Sequence, residues 1–237
     1  MLISRKIRTI LFDLDGTLID HFQCIYKCYL YAAEQLGIQP KDFTTVKNTV
    51  GGGIHITLGQ LMGEALADQA VEHFRDHYAN TMYEDVQLMP GSLWLLENLC
   101  EKGYRISLFT NKPDHHARDI CNHLGLNIFL DDIIGSQDHP SYIKPNKQFT
   151  EYALNKLDAT PATSLLIGDS LYDIEAAACI QMPAYLVTTG SHTKEQLENH
   201  SNKPWGIYND LYDLGQKLFS LKPPVEKEVL PNLMDML

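Results

Sequence analysis

The sequence predicts a doubly wound α/β fold, a parallel sheet covered by helices on both faces, with an all-helical insert near its start. Three observations carry this. Short apolar or β-branched runs, each ended by a polar loop and followed by a helix-like pattern, recur along the chain. Residues 20–86 interrupt that alternation and read only as helices. The polar clusters fall at the ends of the strand-like runs, where ligands sit in sheets of this kind.

The first run covers residues 7–12 and ends at Asp13-Leu14-Asp15-Gly16-Thr17. In the insert, Asp20 is placed to cap a helix over 22–36 that stops at Gly37, and further helical patterns cover about 59–66 and 67–82. A helix over 92–102 opens on Ser92, a residue able to cap, and stops at Gly103, suited to the C′ position. The strand 104–109 leads into Thr110-Asn111-Lys112-Pro113. Then come a helix over 150–157, a strand over 164–167 ending at Gly168-Asp169-Ser170, a helix over 172–179 and a strand over 184–187. The expected division is a core of residues 1–19 and 87–222, a helical cap of 20–86, and a tail of 223–237 that reads as a linker and short helix.

Composition removes several classes of function. At roughly 150 residues per domain, 237 residues suit one large domain or a core with a modest insertion. The net charge of −11 argues against a nucleic-acid partner, because such proteins need a basic face. The insert holds four basic and nine acidic residues, so the acidity is spread rather than gathered in one tail. No apolar stretch is long enough to span a bilayer, and the start carries no signal-like pattern, so no membrane role is expected. Five cysteines, odd in number and without a Cys-x-x-Cys pair, fit a reducing cytoplasm better than a disulfide framework.

The chemistry gathers in a few residues. Asp13 and Asp15, two apart in extended backbone, point to one side and so present two carboxylates to one substrate. Such a pair is costly without a cation. Gly16 permits an immediate turn and leaves N–H groups to donate to an anion. Asp169 and Asp173, four apart at a helix start, share a helical face, and carboxylates converging at one sheet edge make a hard-oxygen site suited to Mg²⁺. Thr110 offers a hydroxyl, Asn111 an amide, and Lys144 before Pro145 a point charge for phosphate.

Taken in order, Asp13-x-Asp15-Gly16-Thr17, Thr110-Asn111, Lys144-Pro145 and Gly168-Asp169-Ser170-x-x-Asp173 resemble the four motifs of the haloacid dehalogenase-like hydrolase superfamily, over residues 7–190. The segments 12–20 and 110–113 are most similar to its phosphoglycolate phosphatase-like branch, and the insert sits where that branch has its helical cap. The resemblance implies a Rossmann-like doubly wound parallel sheet core with an inserted α-helical cap domain. It implies an Mg²⁺-dependent phosphatase acting on a small-molecule phosphomonoester such as phosphoglycolate, a sugar phosphate or a nucleotide. Asp13 would be the nucleophile that forms an aspartyl-phosphate, and Asp15 the acid and base. Mg²⁺ would be held by Asp13, the Asp15 backbone carbonyl and Asp169, with Asp173 orienting the metal shell or Lys144. Thr110 and Lys144 would hold the phosphoryl oxygens.

A carboxylate at position 15 favours phosphomonoester chemistry, since the family's dehalogenases carry an aromatic residue there and its phosphonate hydrolases a small apolar one. Two rivals remain. Phosphomutases of the β-phosphoglucomutase type share the paired carboxylates but have a histidine where this chain has Ile25. The other rival is an idle binding protein that has kept the fold. The family commonly ends the helix after its fourth motif with Ala-Gly, and here stand Ile180-Gln181, which puts the local turn in question. Gly51-Gly52-Gly53 lacks the Gly-Lys-Ser/Thr of a phosphate loop and reads as a turn between cap helices. His55 beside it is either a specificity residue or a plain surface histidine. The expected assembly is a monomer or weak homodimer.

Overall fold

The computed structural model describes residues 6–137 and 141–223; the tail beyond Pro223 lies outside them. The chain opens with β1 (Thr9–Phe12) and β2 (Ile19–Asp20), then α1 (Phe22–Gln35), α2 (Phe43–Lys47), α3 (Ile54–Met62) and α4 (Ala67–Thr81). There follow β3 (Gln87–Leu88), α5 (Ser92–Glu101), β4 (Arg105–Pro113), α6 (Asp114–His123) and β5 (Asp132–Ser136). The last part holds α7 (Lys147–Lys156), β6 (Ser164–Gly168), α8 (Leu171–Ala178) and β7 (Ala184–Val187), then α9 (Lys194–Asn199), β8 (Gly206–Tyr208) and α10 (Leu211–Phe219).

Six strands form one parallel sheet in the order β5-β4-β1-β6-β7-β8. Along β1 the side chains alternate between faces. Ile10 and Phe12 join one apolar cluster with Leu95 of α5, Ile120 of α6 and Leu214 of α10. Leu11 joins the other, with Phe149 of α7, Ile174 of α8 and Leu197 of α9. Both faces are covered, so the strand is a continuous apolar run rather than an alternating one. Strand order reverses at β1, and its carboxyl end is therefore the switch point where a crevice opens.

Helices α1 and α4 pack together, and Cys28, Tyr29, Ala32, Phe74 and Tyr78 are buried in the same cluster as Ile10 and Phe12. The two ends of the helical segment meet in a small antiparallel ribbon, with Ile19 opposite Leu88. The cysteines are free, and Cys24 and Cys28 are buried as small apolar side chains.

Several elements depart from expectation. Thr110-Asn111-Lys112 lie within β4, which continues to Pro113 after a register shift beyond Phe109. The helix expected over 59–66 is α3 instead, bracketed by Gly53 and Gly63 with φ of +85° and +97°, and residues 64–66 form a 3-10 turn. Ser92 does not cap α5. Gly91 takes the cap position with φ +89°, and the Ser92 hydroxyl donates to the Leu18 carbonyl. Asp20 accepts from the Phe22 N–H at 3.2 Å, acting from one residue before the cap position, which His21 holds. Helix α7 starts at Lys147 because Asn146 accepts from the Gln148 N–H. Elements β5, α9, β8 and α10 were not anticipated, although Leu211, Leu214 and Leu218 carry a helical spacing.

The Ile180-Gln181 turn forms despite the missing glycine, and Gln181 sits in the left-handed region at φ +59°. A side chain there costs about 1 kcal/mol. Gln181→Gly is accordingly expected to raise the urea midpoint, by an amount corresponding to about 1 kcal/mol, with the slope unchanged. A lowered midpoint would show that the Gln181 side chain contributes more than its backbone costs.

Candidate active site

Three sheet strands deliver their ends to one crevice. Asp13 follows β1, Thr110 to Lys112 close β4, and Asp169 follows β6. The Lys144 ammonium reaches across to donate to Asp13 Oδ1 at 2.8 Å and to Asp173 Oδ1 at 2.7 Å. All four side chains are nearly or wholly buried. The other Asp173 oxygen accepts from the Ser170 hydroxyl and N–H, so Asp173 is committed to Lys144 and to the start of α8. Asp169 is oriented by Thr17 Oγ1 at 3.2 Å and by the Ser191 N–H at 2.8 Å. No Cβ fits at Gly190, which would lie 1.8 Å from Asp169 Oδ2, so the glycine lets that carboxylate turn inward.

Carboxylate oxygens of Asp13, Asp169 and Asp173 lie within 4.8 Å of one another. Burial pushes the Asp13 carboxyl up to about 6; the Lys144 ammonium opposes this and the Asp173 charge adds to it. Asp169 is also raised, by burial and then by repulsion from Asp13 and Asp173. Three carboxylates against one ammonium leave two negative charges uncompensated, which a divalent cation would neutralise. The donor set is hard oxygen throughout, as Mg²⁺ requires. With Asp173 saturated by its own partners, Asp13 and Asp169 are the side chains suited to hold it.

Asp15 lines the same cavity as Asp13 but has a separate set of partners. Its Oδ2 pairs with Lys112 Nζ at 3.0 Å, and Lys112 donates in turn to the Tyr78 hydroxyl at 3.1 Å. Oδ1 faces His21 Nδ1 at 3.6 Å. Burial would raise the Asp15 carboxyl, but the Lys112 ammonium and His21 outweigh it and hold the group at about 2. The Lys112 side chain is largely buried as well, and despite that burial Asp15 keeps its ammonium above the ordinary value. Neither Lys112, His21 nor Tyr78 stood out in the sequence. Lys112 was visible as part of the 110–113 segment, but its partner Tyr78 is 34 residues away.

Two expectations need correction. Asn111 does not offer its amide to phosphate: Nδ2 donates to the Gly51 and Lys144 carbonyls, and Oδ1 accepts from the Lys144 N–H at 2.6 Å. Its side chain holds the Lys144 backbone in place. Nor does Gly16 offer its N–H to an anion, because that N–H donates to the Ile19 carbonyl at 2.8 Å. Gly16 serves the turn instead, at φ +88°, where a Cβ would meet Asp169 at 2.8 Å. Thr110 lines the crevice with its hydroxyl accepting from the Lys112 N–H, which leaves the hydroxyl proton to donate.

The crevice opens into a cavity of about 320 Å³ between these strand ends and the helical segment. Ile25, Val50, Ile54 and Phe74 give it apolar lining, and Arg75, His115 and His116 line it as well. Burial and the neighbouring His115 and Lys112 charges pull His116 down to about 4, so its ring is neutral at pH 7. His55 does not line the cavity; it is exposed and pairs with Asp68 at 2.9 Å. The glycine run beside it serves close packing. A Cβ on Gly52 would meet the Tyr172 hydroxyl at 2.5 Å, and one on Gly53 would meet Ile143 at 2.7 Å.

A parallel sheet with this switch point and these strand-end carboxylates defines a class, and comparison with known proteins agrees with it. The family model for haloacid dehalogenase-like hydrolase matches residues 10–187, and the chain belongs to that family. It is 31% identical over 194 residues to a phosphoglycolate phosphatase from Cupriavidus necator, covering 79% of this chain and 84% of the relative. A phosphoglycolate phosphatase from Aquifex aeolicus is also 31% identical, over 169 residues, covering 71% and 79%. Among solved structures, that of a predicted phosphatase from Clostridium acetobutylicum superposes with a TM-score of 0.83 at 26% identity, covering 91% of this chain and 99% of that one. The family is a hydrolase family, and within it the chain falls among the phosphatases, in the phosphoglycolate phosphatase-like branch. Among the described residues no helix is long and apolar enough to cross a membrane.

Proposed function

We propose that this chain is an Mg²⁺-dependent phosphatase that hydrolyses a small-molecule phosphomonoester through an aspartyl-phosphate on Asp13. The observation that carries the reading is the convergence of Asp13, Asp169 and Lys144 in one buried crevice, with Asp15 and Thr110 lining the cavity beside Asp13. Phosphoglycolate, the substrate named for the relatives, leads; sugar phosphates and nucleotides are the alternatives, and the size and apolar lining of the cavity leave room for them. Helices α1 to α4 would act as a cap, excluding water and choosing the leaving group. The free cysteines suit a reducing cytoplasm.

In this reading Asp13 attacks phosphorus as the alcohol leaves, which splits one hard displacement into two easier ones. Lys144 and Thr110 donate to the equatorial phosphoryl oxygens, where charge stabilisation dominates this chemistry. Asp173 and Asn111 hold Lys144 for that task, one by its ammonium and one by its backbone. The residues suited to hold Mg²⁺ are Asp13, Asp169 and the Asp15 carbonyl. When bound, the ion would screen the anionic substrate from the anionic nucleophile. Asp15 protonates the leaving oxygen and later takes a proton from the water that frees the phosphate. A phosphate dianion entering beside Lys112 competes for that ammonium, which raises Asp15 toward the protonated form the leaving group needs.

The test is phosphate release from phosphoglycolate and from 4-nitrophenyl phosphate. Turnover is expected with Mg²⁺ and none with EDTA, and Mg²⁺ should raise the melting temperature by binding the folded state. Equal turnover in EDTA would remove the metal from the mechanism, and no release from a broad panel of phosphomonoesters would sink the phosphatase reading.

A further inference from the structure

His21 is wholly buried at the junction between the small ribbon and α1. Its Nε2 lies 2.9 Å from the Met82 carbonyl just beyond the end of α4, and a carbonyl only accepts, so Nε2 carries a hydrogen and donates it. The other ring nitrogen, Nδ1, faces Asp15 Oδ1 at 3.6 Å. Both of these atoms are buried without a hydrogen-bond partner among the described residues. Leaving two polar atoms unmatched costs about 1–3 kcal/mol each, and folded proteins rarely leave such groups without a purpose. Lys112 holds only the other Asp15 oxygen. The imidazole is thus the group placed against Oδ1: with Nε2 carrying its hydrogen, Nδ1 accepts from Oδ1 when the Asp15 carboxyl is protonated and donates to it when the ring is the imidazolium, and a small rotation of the carboxyl closes the gap in either state.

We propose that His21 is a positioning residue for the Asp15 carboxyl, fixing the rotamer from which it protonates the leaving alcohol. The inference rests on the phosphatase reading of the crevice and deepens it. It also gives the helical segment a direct line to the chemistry. His21 is bonded to the residue beyond α4, and Lys112 to Tyr78 within α4, so both groups that grip Asp15 are anchored to that helix or its end. A shift of α4 over the cavity therefore moves the carboxyl that serves the leaving group.

The test compares two substrates. An alkyl phosphomonoester such as phosphoglycolate needs its leaving oxygen protonated, whereas 4-nitrophenyl phosphate leaves as a stable phenolate. His21→Gln keeps a donor in reach of the Met82 carbonyl and removes the partner of Asp15; His21→Leu fills the space with no polar atom. For both variants kcat/KM on the alkyl substrate is expected to fall about tenfold or more, and on the aryl substrate less than about threefold. His21→Asn, which returns an amide beside Asp15, should recover most of the alkyl rate. In an Asp15→Asn background, His21→Gln should add no further loss, because the two act as a unit. Should the glutamine variant not fold, the leucine variant gives the same reading. Equal losses on both substrates, or none on either, would overturn the assignment by marking His21 as purely structural. If the unaltered protein releases phosphate from neither substrate, it is the phosphatase reading that has failed instead.

Discussion

Asp13→Asn is expected to abolish turnover and to yield a protein that is folded and more stable at pH 7 than the parent. The loss of activity follows from the nucleophile: an amide nitrogen or oxygen in that place does not form the acyl phosphate, and an expected fall of at least about 10⁴-fold is typical when a covalent catalyst is removed. The gain in stability follows from the environment. The folded pKa of Asp13 is raised from 3.8 to about 6, mainly by burial. A raised acid favours folding only while protonated, so its contribution is whole below pH 3.8 and lost as the pH climbs to about 6. Above that range the ionised group costs at most about 3 kcal/mol, and asparagine has no charge to desolvate. Urea unfolding without metal should show the variant about 1–2 kcal/mol more stable at pH 7, the difference shrinking toward pH 4. A variant that is less stable at both pH values would mean that the Lys144 pairing outweighs burial.

Lys144→Met has the opposite sign and the larger structural effect. Methionine keeps the apolar stem but leaves Asp13 and Asp173, 2.8 and 2.7 Å from the lost ammonium, as buried charges without that partner. Breaking a buried pair from one side costs about 3–5 kcal/mol. Without the ammonium that held it down, the Asp13 carboxyl is pushed further up from about 6, so the deficit grows as pH rises above that value and narrows as the group protonates toward pH 6 and below. Activity should fall by at least about 10²–10³, the scale of one electrostatic donor to the transferred group. Combining Lys144→Met with Asp13→Asn should restore part of the stability and none of the turnover, because the two side chains share one network. Additive destabilisation in the double variant would show that they do not.

These two predictions use residues that stood out in the primary structure, and the reason is local. Asp13 and Asp169 each follow a buried apolar strand, and Lys144 precedes a proline; such features survive in a one-dimensional reading. Asn111 shows where that reading stops. Its place at a strand end suggested an amide offered to phosphate, but the amide is taken by carbonyls of Gly51 and Lys144, 60 and 33 residues away. Gly16 fails in the same manner, since its N–H closes the turn onto Ile19. His55, beside a conspicuous glycine run, sits outside the cavity with Asp68. Lys112 and His21, each beside a residue the sequence does single out, Asn111 and Asp20, grip the carboxyl of Asp15.

By itself the amino-acid order determined the parallel sheet, the helical insert and the set of acidic and basic groups at the strand ends. Periodicity, apolar runs and turn residues are properties of neighbours along the chain, and they decide which elements form. Only the tertiary structure decided which of those groups remain available to a ligand and which are committed to the fold. That depends on atoms brought within 3 Å from distant segments, and a hydrogen bond made through space leaves no spacing in the sequence to be counted.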